Sequence, residues 1–184
     1  MAIKPILFNS EMVRAILDGR KSCTRRIIKP QPTAHYGTQC VIPPYKPGDI
    51  LYVRETWCGL PVNEAGHFRG HPIYYYKADG DLRPEGWRGA WHPSIHMLKE
   101  AARIWLKVTD VRVERLQDID GKGCLKEGIE EEPLKYVGDE FVKGMFHDLW
   151  DSTIKKSDLD RYGWDANPYV FVIEFLKIDK PEEV

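Results

Sequence analysis

The sequence predicts one mixed α/β (α+β) domain built around a small, closed or nearly closed β-barrel. Three observations predict it. Several short segments alternate apolar and polar residues with the period of a strand. Few stretches carry helical spacing, and many short strands with few helices suit a small barrel. The 184 residues, 42% hydrophobic and 11% aromatic, suffice for one well-buried core.

Lys4 to Phe8 reads as the first strand. Asn9 or Ser10 caps a helix whose Met12, Val13, Ile16 and Leu17 repeat at helical spacing, and Gly19 ends it. Ser22 to Ile28 reads as a second strand, closed by Lys29-Pro30-Gln31-Pro32. Residues 33–47 are loop-like up to the turn Pro47-Gly48-Asp49. Residues 50–57 then alternate, with Leu51, Val53 and Glu55 on one face and Tyr52, Arg54 and Thr56 on the other. Residues 58–99 read as a long insertion rich in glycine, proline and aromatics, with a strand or hairpin arm at Ile73 to Lys77. Tyr74, Tyr75, Tyr76, Trp87 and Trp91 are too many aromatics for a solvated loop. The insertion is therefore expected to cover one mouth of the barrel and to contribute to a ligand cleft.

The strongest strand pattern runs from Ala102 to Arg115, with a break near Thr109-Asp110. Leu116 to Glu127 predicts a short helix interrupted at Gly121-Lys122-Gly123. Glu140 to Ile154 predicts an amphipathic helix that turns Phe141, Met145, Leu149 and Trp150 toward a core. After Asn167-Pro168, Tyr169 to Ile178 is the last strand, and a frayed tail is expected after Asp179.

Charge is nearly balanced, with 27 basic residues against 28 acidic. Any nucleic-acid contact must therefore come from a local basic patch. No apolar run reaches the ~18 residues of a membrane span. The short apolar start is too brief for a secretory signal, so a cytoplasmic protein is expected. Cys23, Cys40, Cys58 and Cys124 form no Cys-x-x-Cys pair and are expected as free thiols. His67/His71 and His92/His96 have helical spacing. However, Gly66, Gly70, Pro72 and Pro93 oppose a helix there, so neither a metal nor a cofactor is expected.

The richest chemistry lies in Gly19-Arg20-Lys21-Ser22-Cys23-Thr24-Arg25-Arg26, where a helix hands over to a strand. Residues three apart on an ideal strand face opposite sides. Lys21 and Thr24 converge only if Lys21 belongs to the turn or a bulge intervenes. A lysine beside a hydroxyl is one way to activate a weak nucleophile, although the same residues also suit a solvated basic turn. Cys23 is a second candidate nucleophile, but its place next to Thr24 sends it to the other face of the strand.

The order strand, helix, Gly-Arg-Lys-Ser-Cys-Thr-Arg-Arg, Lys46-Pro47-Gly48-Asp49 and later Lys126-Glu127-Gly128 resembles the ASCH domain family. Val53-Arg54-Glu55-Thr56-Trp57, Trp91-His92-Pro93-Ser94-Ile95-His96-Met97, Val111 to Leu116 and Trp164-Asp165-Ala166-Asn167-Pro168 resemble its larger phage and prophage branch. The resemblance covers nearly the whole chain and implies a single PUA-like, mostly antiparallel barrel over residues 1–184. It also implies a cleft beside the first helix, and a modified nucleoside, nucleotide or RNA as partner. One small bacterial branch of the family is an acetylcytidine amidohydrolase with a lysine, a threonine and a glutamate. Lys21, Thr24 and Glu127 match their positions, and the 58–99 insertion has no counterpart there.

Amide hydrolysis needs a nucleophile, a proton carrier and a group to hold the oxyanion. Thr24 supplies the hydroxyl. Lys21 serves as base if burial or the nearby charges of Arg20, Arg25 and Arg26 lower its proton affinity, and otherwise as a cationic stabiliser. Glu127 can orient Lys21 or carry a proton to the departing amine. The candidate ligand-binding residues are Arg20, Arg25, Arg26, Arg54, Glu55, Trp57, Ser94 and His96. Trp57, Trp91 and Trp164 are candidates to stack a base. Two alternatives use the same cleft: a non-catalytic RNA- or nucleotide-binding module, and a ribonuclease. An enclosed pocket favours the hydrolase, whereas an open groove lined by Arg20, Arg25, Arg26 and Lys29 favours the alternatives.

Overall fold

Alternation in the sequence becomes a five-stranded mixed sheet in a computed structural model, which describes residues 1–32, 41–59, 73–83, 85–86, 89–130 and 138–182. The strands are β1 (Ile3–Leu7), β2 (Cys23–Ile27), β3 (Ile50–Arg54), β6 (Trp105–Arg115) and β7 (Tyr169–Ile178), in the order β1-β3-β6-β7-β2. A separate hairpin joins β4 (Trp57–Gly59) to β5 (Tyr74–Tyr76). β1 runs parallel to β3, and the other pairings are antiparallel.

The sheet is mostly antiparallel as expected, but the closed or nearly closed barrel is not confirmed. Among the described residues the hydrogen-bonded ladder ends at β1 on one side and β2 on the other. The two edges nevertheless share one core. Ile6 on β1 and Ile28 just after β2 join Leu51, Val53, Leu106, Val108, Phe171, Ile173 and Phe175. Arg26 on β2 donates from Nη2 to the Leu7 carbonyl on β1 at 2.7 Å, so a side chain bridges the gap that backbone pairing leaves.

Helix α1 (Ser10–Leu17) carries the chain from the β1 edge to the β2 edge. Asn9 caps it, accepting from Met12 N–H at 2.8 Å, and Val13 and Ile16 bury against the main core. Strand β7 is buried on both faces: Phe171, Ile173 and Phe175 face the main core, and Val170 and Val172 a second one. The break expected near Thr109-Asp110 is a register shift between Val108 and Asp110. The extra residue flips the alternation, so Leu106 and Val108 before it and Val111 and Val113 after it all reach the main core.

The other helices are α2 (Gly121–Lys126), α3 (Asp139–Ser152) and α4 (Leu159–Tyr162). Gly121-Lys122-Gly123 starts α2 and does not interrupt it. The Asp120 side chain caps it from Gly123 N–H at 2.7 Å, and Gly121 is small because a Cβ would meet the Asp139 carboxylate at 2.6 Å. On α3 the buried face is Val142, Phe146 and Trp150, with Phe141 exposed. That is one position round from the expected stripe, and it leaves Met145 and Leu149 to line a cleft.

The described part of the insertion builds a third cluster. Met97 and Ala101 pack with Ile50 and Trp105, flanked by Trp57, Tyr74 and Tyr76. Cys40, His67, His71 and Trp87 lie outside the described residues. Among the described residues no helix is long and apolar enough to cross a membrane.

Candidate functional site

The turn after α1 and the end of α2 are tied together by backbone before any side chain acts. Lys21 N–H donates to Ala15 O, and Ser22 N–H to Lys126 O, both at 2.9 Å. Lys21 and Glu127 therefore face one another as an isolated antiparallel bridge. Gly128 permits this close approach. Its φ is +100°, and a Cβ there would sit 2.8 Å from the Ala15 Cβ and 3.3 Å from the Lys21 Cβ.

The side chains complete the contact. Lys21 Nζ donates to Glu127 Oε2 at 2.6 Å and to the Glu127 carbonyl at 2.8 Å. Arg25 Nη1 reaches Glu127 Oε1 at 3.2 Å. Lys21, Thr24, Arg25 and Glu127 are all buried. One carboxylate thus serves two buried cations. The separation in sequence between Lys21 and Glu127 disappears because Lys21 belongs to the turn and not to the strand.

Two neighbouring cavities meet at Glu127. The larger, about 490 Å³, lies between α1, the end of α2 and α3, with Met12, Arg20, Glu127, Met145 and Leu149 among its walls. The smaller, about 40 Å³, is lined by Thr24, Arg26, Glu127, Phe146, Leu149 and Trp150, among others. Met12, Glu127 and Leu149 belong to both. Thr24 therefore shares a cavity with Glu127, whose carboxylate Lys21 holds.

Cys23 and Thr24 part company as strand alternation requires. Cys23 lies in the second core and borders a different, polar cavity of about 330 Å³. Burial pushes its thiol up to about 12, with Glu127 adding to the effect, so it holds little thiolate at neutral pH.

The remaining candidates are dispersed. Arg20 is partly exposed and bonds the Gly128 carbonyl at 2.6 Å and Asp18 at 2.9 Å. Arg26 spans the sheet edges and lies over the Phe8 ring at 5.3 Å. Arg54 Nε donates to the Met97 carbonyl at 2.8 Å. Glu55, buried, places both oxygens on Arg103 at 2.9 and 3.0 Å, and Arg103 also binds Asp79 and lies 4.0 Å from the Tyr76 ring. Arg103 was absent from the sequence expectations, although the buried face of Glu55 was predictable and required a cationic partner.

Trp57 meets Tyr74 edge-on and lies tilted against His92, and its buried indole N–H finds no acceptor among the described residues. Ser94 and His96 sit in a single 3₁₀ turn, His96 exposed. Trp91 lies under Arg83, and Trp164 packs between Phe146 and His147. None of the described insertion residues lines the large cavity. The nearest tie is Arg14, which borders it and donates to the Ala78 carbonyl at 3.2 Å.

No family model matches the chain, and no curated protein does. Among solved structures the chain is similar to the crystal structure of an ASCH domain from Lactobacillus crispatus JV V101. The two share 11% identity with a TM-score of 0.43, over 97% of this chain and 81% of that one.

Proposed function

We propose that the protein is an ASCH-type amidohydrolase that removes a small acyl group from a modified nucleoside such as acetylcytidine. The observation that carries this reading is that Glu127, held by buried Lys21 at 2.6 Å, borders a cavity that Thr24 also lines. The motif resemblance supplies the family and the substrate class. In this reading Thr24 Oγ1 attacks the acyl carbonyl and its proton passes to Glu127, which gives it to the departing amine nitrogen. Water then cleaves the acyl-threonine to the free acid. Lys21 holds the Glu127 carboxylate and supplies positive charge near the developing oxyanion.

The charge of the cleft supports a neutral ligand over a polyanion. Glu11, Asp18, Glu127 and Glu130 border the large cavity against Arg14 and Arg20, both of which already bond protein oxygens. A polyanionic ligand needs free cations to neutralise its phosphates. Arg25 is buried between two glutamates, and Lys29 lies over the Tyr162 ring at 4.4 Å.

The test incubates purified protein with a panel of N-acylated nucleosides and follows the released nucleoside. Lys21→Ala and Thr24→Ala should each lower kcat by about 10²–10⁴-fold with little change in KM, because their roles belong to the transition state. If no acylated nucleoside is cleaved and RNA binds with a steep salt dependence, the chain is a binding module.

A further inference from the structure

Resting on that reading, we infer that Arg25 is a positioning residue for Glu127, anchored by a closed circuit of charges that links β2, β6, β7 and the end of α2. Strand alternation is the starting point. Thr24 and Arg25 are neighbours on β2 that leave the strand in opposite directions, yet the long Arg25 side chain borders both the small cavity it shares with Thr24 and Glu127 and the polar cavity beside Glu114. From there its guanidinium forks between Glu127 Oε1 at 3.2 Å and Glu114 Oε2 at 3.4 Å, with the Phe146 ring 5.9 Å away.

The chain of contacts then returns to its origin. Glu114 on β6 accepts from Arg112 Nε. Arg112 Nη1 donates to Glu174 on β7 at 2.9 Å and to Asp110 at the same distance. Glu174 accepts from Lys126 Nζ at 3.3 Å, and Lys126 immediately precedes Glu127 on the chain. Strands β2, β6 and β7 and the end of α2 are thus closed into one ring of alternating charge. Arg25, Glu114, Arg112, Glu174 and Lys126 all border the 330 Å³ polar cavity.

This arrangement divides the work of one carboxylate. Oε1 belongs to the ring through Arg25, and Oε2 belongs to Lys21. With Oε1 held, the carboxylate cannot rotate away from Lys21 or from the Thr24 cavity. A planar guanidinium suits this task because it reaches two carboxylates from one fixed fork, which an ammonium cannot do.

The experiment compares Arg25→Met, Arg25→Lys and Glu114→Gln with the wild-type chain by two readouts. The first is kcat and KM on the acylated nucleoside. The second is reductive methylation of Lys21 by formaldehyde and dimethylamine–borane, read by peptide mass spectrometry with Lys4 as internal reference. Arg25→Met should lower kcat at least tenfold with KM within about twofold, and should raise Lys21 methylation relative to Lys4. Arg25→Lys should recover part of both effects, and Glu114→Gln should act in the same direction more weakly. Unchanged kcat and unchanged Lys21 methylation in Arg25→Met would overturn the inference. If the wild-type chain cleaves no acylated nucleoside, the hydrolase reading fails and the methylation result alone decides the role of Arg25. If Arg25→Met does not fold, wild-type methylation in both Arg25→Lys and Glu114→Gln overturns it.

Discussion

Glu127 is asked to balance two buried cations, whereas Lys21 has one carboxylate partner. That asymmetry sets the order of damage on substitution. Glu127→Gln leaves Lys21 and Arg25 side by side without their shared charge, and breaking a buried pair in this way costs about 3–5 kcal/mol. Lys21→Met leaves Glu127 paired with Arg25 and replaces a buried stem with one of similar shape, so it should cost clearly less. Urea denaturation of the two variants checks the ranking, and a more stable Glu127→Gln would contradict the pairing. At this scale the candidate triad was legible from residue type and resemblance. Its geometry was not, because the Lys21 contact depends on Gly128 letting the end of α2 approach the turn.

Elements were legible where a short-range rule decided them. Asn9 and Gly19 bracket α1, and the break in the long strand fell where apolar parity changed. They were misread where packing chose between equivalent options. A helix with Phe141, Val142, Met145, Phe146, Leu149 and Trp150 has two overlapping apolar stripes, and the second core selected the one through Val142 and Phe146. The turn before β3 makes its own prediction. Asp49 is buried and accepts from Lys4 Nζ at 2.9 Å, Ala2 N–H at 3.0 Å and Lys46 N–H at 3.2 Å. The hydrogen bond from Lys4, helped by those N–H groups, holds its carboxyl below the usual value against the cost of burial. A carboxyl with a depressed folded pKa contributes stability that is complete above its unfolded value, near 3.9, and is lost as pH falls through the folded one. Thermal melts of wild type and Asp49→Asn should differ most near neutral pH and converge as pH falls below about 4. A gap of constant size would contradict the assignment.

At the scale of the molecule, apolar clusters and ion networks among the described residues hold the sheet to its additions. Arg103 joins Glu55 just beyond β3 to Asp79 beyond β5, and so fastens the described insertion to the sheet. Burial raises the Glu55 carboxyl, and the hydrogen bonds and charge of Arg103 oppose that rise. Arg103→Met would strand a buried carboxylate, with an expected loss of about 3–5 kcal/mol. Hydrogen exchange should then quicken at the amides of β4 and β5 more than at those of β7. Equal protection in the two regions would mean that the cluster around Met97 and Trp105 holds the hairpin without the ion pair.

Local chemistry in the sequence determined which segments became strands and helices, where caps and turns fell, and which residue types were available for a lysine–threonine–glutamate site. Alternation and helical spacing act over a few residues, and one chain carries that information in order. Tertiary structure alone decided the order of the strands and the Arg26 bridge between the edge strands of the described ladder, that Glu55 pairs with Arg103, and that Glu127 lies between Lys21 and Arg25. Each of these joins residues far apart in sequence. A buried charge states only that it must find a partner, and the packing of the whole chain chooses which one.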